Sequence, residues 1–98
     1  MIHFEDVWNR AETLTTAEAA QRSIQSLIME LTAKLGLYEA MDNNKLAIEE
    51  KQKLKSHLFG KLLILLAQIS LKDDINVFSS MKTALEAVEV LQLEAKYH

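Results

Sequence analysis

The chain has 98 residues, 49% of them hydrophobic and 26% charged, a balance that folds as one domain and excludes a disordered tail. It has no Pro, only two Gly and no Cys, which excludes turn-rich sandwiches and barrels as well as disulfides, thiolate metal sites and cysteine nucleophiles. Eleven Lys and Arg against fourteen Asp and Glu leave a net charge of -3, so no basic field draws in nucleic acid. The expected class is all-α: a bundle of three long helices and a short N-terminal one, completed by dimerisation.

Phe4, Val7, Trp8 and Ala11 recur at spacings of three and four, predicting a short amphipathic helix that ends near Thr13. This acid-containing start has no apolar signal segment, and with the absence of Cys it sets the expectation of a cytoplasmic protein. Thr15-Thr16-Ala17-Glu18 reads as a capping box, so a second helix is predicted from there. Its stripe of Ala17, Ala20, Ile24, Leu27, Ile28, Leu31 and Leu35 runs up to Gly36, a natural terminator. Asp42-Asn43-Asn44 is a loop signal in which side chains bond the local backbone.

The third helix is predicted from about Asn44. Its first half is rich in Glu and Lys and reads as solvated. Between Leu58 and Leu71 only four residues are not apolar. Fourteen helical residues rise about 21 Å, short of the ~30 Å hydrocarbon core, so a buried helix is expected and not a membrane span. Asp73 or Asp74 is the expected cap of a fourth helix, whose stripe of Val77, Phe78, Met81, Ala84, Leu85, Val88 and Leu91 is expected to lie against the others.

The third helix carries apolar residues on more than one side. A bundle helix buries one stripe of about 100° or more, and leaving several aliphatic side chains wet forfeits roughly 1.5–3 kcal/mol each. Leu58, Phe59, Leu62, Leu63, Leu65, Leu66 and Ile69 are therefore the expected interface of a homodimer or higher oligomer, with this helix at its centre.

Residues that could carry chemistry are sparse. Glu30 is the one acid in the apolar part of the second helix, with Lys34 at i+4, and it is the single weak metal candidate. The pair reads as an ordinary exposed ion pair. Glu49 and Glu50 lie among lysines, and Asp73, Asp74 and Asn76 lack the Gly and Glu of a calcium loop. His3, His57 and His98 are far apart in sequence, and His57 has cationic Lys61 at i+4. Ser79 and Ser80 have no His-Asp partners, and neither Gly belongs to a nucleophile elbow or a phosphate loop. No catalytic residue and no cofactor is expected.

Leu58-Phe59-Gly60-Lys61-Leu62-Leu63, then Leu65-Leu66-Ala67, Asp74-Ile75-Asn76-Val77 and Met81-Lys82-Thr83-Ala84-Leu85-Glu86, resembles the second half of the MazG-type nucleoside triphosphate pyrophosphohydrolases. The likeness covers about thirty residues. That all-helical family binds Mg²⁺ through a Glu-x-x-Glu pair on one helix and a Glu-x-x-Asp pair on a later one. By this resemblance Glu30 stands for an acid of the first pair, beside Ala33 and Lys34, while the second pair falls on Leu58 and Lys61. The resemblance thus implies the scaffold without its metal-binding acids. The expected function is non-catalytic: self-association through the central helix and binding of a protein or small-molecule partner, away from nucleic acid and membrane. The alternatives are a Mg²⁺-dependent nucleotide pyrophosphohydrolase using Glu30, Glu49, Glu50 and Asp74, and a helical adaptor or immunity-type protein.

Overall fold

The computed structural model describes residues 3–97. Met1, Ile2 and His98, together with the side chain of Tyr97, lie outside the described residues. The fold is all-α: α1 (Phe4–Gln21), α2 (Ile24–Ala40), a short 3-10 turn (Met41–Asn43), α3 (Ile48–Lys72) and α4 (Val77–Tyr97). All four helices are long, so the expectation of a short first helix is corrected.

The cause lies at Thr15. Its hydroxyl donates to the Ala11 carbonyl at 2.7 Å, and Thr16 donates to Glu12 at 2.8 Å. Both threonines therefore bond back into a continuing helix and do not cap a new one. The break comes later, at Arg22 and Ser23, both extended in backbone, and the Ser23 hydroxyl accepts from the Ser26 amide at 3.0 Å to start α2. Gly36 does not end α2, which runs on to Ala40. The Asn44 side chain accepts from the Leu46 amide at 3.0 Å, the loop bond expected there, and α3 starts at Ile48.

α3 is the central element, with α1 and α2 packed against it. Trp8, Ala19 and Leu27 from the outer helices meet Leu62, Leu65 and Ala67 in the buried core, and Leu27 is fully enclosed. Glu12 ties α1 to α3: its Oε1 accepts from Trp8 Nε1 at 2.6 Å and lies 3.3 Å from the Ser70 hydroxyl. Lys72 donates to the Ala19 carbonyl at 2.8 Å. At the far end of α2, the Lys55 ammonium pairs with Asp42 and sits 5.4 Å above the Tyr38 ring. This joins the 3-10 turn to α3, and Asp42 is held below its ordinary range chiefly by the Lys55 hydrogen bond.

α3 ends in a Schellman turn. The Asp74 amide bonds to Leu71 and the Ile75 amide to Ser70, with Asp74 in the left-handed region at φ 52°. Asp73 and Asp74 do not cap α4; the Asn76 side-chain Oδ1 does, accepting from the Ser79 amide at 3.0 Å. Only the start of α4 is held by the rest of the chain. Val77 and Phe78 are half-buried, with the Phe78 ring edge-on to Phe4 at 6.4 Å. From Ser79 to Lys96 every residue is exposed, so α4 does not lie against the others as its amphipathic stripe predicts.

Candidate interaction surface

Glu30 sits in a cleft of about 230 Å³ bordered by Glu18, Arg22, Lys34, Lys61 and Gln68. Arg22 donates to Glu30 Oε2 at 2.5 Å, and Lys34 lies 3.6 Å from Oε1, so both carboxylate oxygens face cations. The Arg22 hydrogen bond is the main cause that holds the Glu30 carboxyl below its ordinary value of 4.5. Arg22 also donates to the Ser26 hydroxyl at 3.0 Å, which fixes the α1–α2 corner.

Among the described residues no three His, Asp or Glu side chains gather into a metal-sized cluster. Glu49 and Glu50 are exposed in the first turn of α3, and Asp74 lies in the turn after its last. Lys61, which the resemblance aligns with a magnesium ligand, lines the Glu30 cleft as a third cation. With three cations against two carboxylates, these residues do not fit a divalent metal. His3 and His57 are both exposed and belong to different helical regions.

The seven residues expected at an oligomer interface divide in the fold. Leu62 and Leu65 are buried inside the chain, packed by α1 and α2, and so are not part of a free surface. Leu58, Leu63 and Ile69 are half-buried, while Phe59 and Leu66 remain exposed. Ile64, on another side of α3, is 43% exposed.

Ile64 borders a groove of about 630 Å³ between α1 and α3. Phe4, Val7, Ala11 and Leu14 form one wall, and Gly60, Leu63 and Ile64 the other. Arg10, His57 and Lys61 bring the only titratable lining, and no acid lines it. Leu14 is 70% exposed on its wall, and a methyl group placed on Gly60 would meet no atom within 4 Å. The groove thus stands open along an apolar floor. α4 holds Met81, Leu85, Val88 and Leu91 in water, Leu91 at 65% exposure. The α4 stripe is legible in the sequence, and of the seven α3 residues expected at an interface Leu62 and Leu65 are taken up by the chain's own core. The Phe4-Val7-Ala11-Leu14 spacing was the available signal for the groove.

α3 is also the one described helix long and apolar enough, by length and composition alone, to cross a membrane, and 28% of the qualifying window is buried in the fold. No family model matches the chain, no curated protein is significantly similar to it, and no solved structure is significantly similar to it.

Proposed function

We propose that this chain is a non-catalytic cytoplasmic assembly module, which self-associates and works through its apolar helical surfaces. One observation carries the reading: α4 is a folded amphipathic helix whose apolar residues Met81, Leu85, Val88 and Leu91 are all exposed. Contiguous exposed apolar surface of that kind marks a contact site. The cations around Glu30 weigh in the same direction, because they occupy the carboxylate that hydrolysis with Mg²⁺ would have to use.

Sedimentation velocity of the full chain at micromolar concentration tests this. The expected result is a species of two chains or more. A species of one chain across the accessible concentration range overturns the reading, as does nucleoside triphosphate hydrolysis that requires Mg²⁺ and is lost on Glu30→Gln.

A further inference from the structure

Resting on that reading, we propose that the partner is a second copy of this chain, and that α4 of each copy lies in the α1–α3 groove of the other. Four observations meet in this arrangement. The first is spacing. Phe4, Val7, Ala11 and Leu14 follow one another at three, four and three residues along α1. His57, Gly60 and Ile64 keep the three-four spacing on α3, and Phe78, Met81, Leu85 and Val88 keep it on α4. Three helices that share this alternation can interdigitate along a common seam.

The second is length. Phe4 to Leu14 and Met81 to Leu91 each cover ten residue steps, about 15 Å of helix, so the exposed stripe of α4 and the groove wall are the same size.

The third is area. The chain exposes 7863 Å², whereas a compact monomer of this mass exposes about 5,700 Å². The surplus of about 2,200 Å² falls in the range that one subunit hides in an obligate dimer, roughly 1,000–2,500 Å². The radius of gyration of 16.7 Å agrees, against about 13 Å for a compact chain of this length.

The fourth is closure. Each chain brings this groove and a projecting helix, so a two-fold exchange fills the one with the other in both copies at once. Charge suits the match: the groove is lined by Arg10 and Lys61 without an acid, and Glu89, four residues on from Leu85, borders the α4 stripe.

The absence of cysteine gives a clean test. A chain carrying Ile64→Cys is mixed under mild oxidation with chains carrying Met81→Cys, Leu85→Cys or Val88→Cys, the two partners distinguished by mass. At least one pair is expected to form a disulfide between the two different chains as its main product. In parallel, Leu85→Glu, a change at an exposed position, is expected to weaken dimerisation at least tenfold while leaving α1–α3 folded in the monomer. Three outcomes overturn the proposal: disulfides only between copies of the same α4 variant, a disulfide within one chain carrying both cysteines, or no cross-link from any pair. If the wild type is still dimeric in those cases, self-assembly stands and the docking mode alone falls; a monomeric wild type removes both.

Discussion

Gly36 occupies a helical position that gains nothing from the absence of a side chain. It lies inside α2 with negative φ and open space where a Cβ would stand, so it bears the entropic penalty of glycine without a compensating contact. Gly36→Ala is expected to stabilise the fold by about 0.5–1 kcal/mol, read as an increase in the midpoint of urea unfolding with an unchanged slope. The Arg22–Glu30 pair makes a different prediction. Because folding holds the Glu30 carboxyl below 4.5, the pair stabilises the native state above that pH, and the contribution fades as pH falls through the lower folded value. The stability gap between the wild type and Arg22→Met should therefore be open at pH 7 and close towards pH 3, with the wild type the more stable at neutral pH. Both groups are partly exposed, so added salt should narrow the gap as well.

At the scale of elements, helix content was legible in the residue pattern and helix boundaries were not. A Thr-x-x-Glu box and a Thr hydroxyl bonded to the carbonyl four residues back use the same residue types, and the choice at Thr15 depends on whether the upstream turn is already helical. Ser23, a single residue without an acid three positions on, gave a weaker written signal than Thr15 yet marks the real break. The stripe on α4 was equally legible, but amphipathicity states which face seeks burial and is silent about what buries it. Hence the sequence pattern assigned α4 to its own bundle, whereas Val77 and Phe78 alone are held there. Helical stability in proteins comes mostly from packing of an amphipathic face, and the apolar face of α4 is exposed, so α4 should depend on association. Far-ultraviolet circular dichroism is expected to lose helicity on dilution through the dimer constant, with the loss confined by hydrogen exchange to residues after Phe78. Helicity independent of concentration would contradict this.

For the whole molecule, the core of Trp8, Ala19, Leu27, Leu62, Leu65 and Ala67 is small for a chain with so much apolar sequence. Much of the remaining hydrophobic content sits on α4 and on the groove walls, which explains why the surface is larger than that of a compact chain. Around α3 the excess of apolar side chains was readable from composition alone; the side left uncovered was not, because it depends on where α1 crosses α3, and that crossing is set by contacts such as Glu12 with Ser70. The candidate site was thus half written in the sequence, as faces without partners.

The turn at Asp74 gives this arrangement an unusual vulnerability. Its left-handed residue and the Asn76 cap set the direction in which the last helix departs, though neither belongs to the groove. One amino acid inserted between them would rotate the greasy stripe by about 100° and aim it at a different neighbour. Reciprocal pairs would then give way to open strings of molecules, each reaching for the next, through a change that touches none of the groove's lining residues.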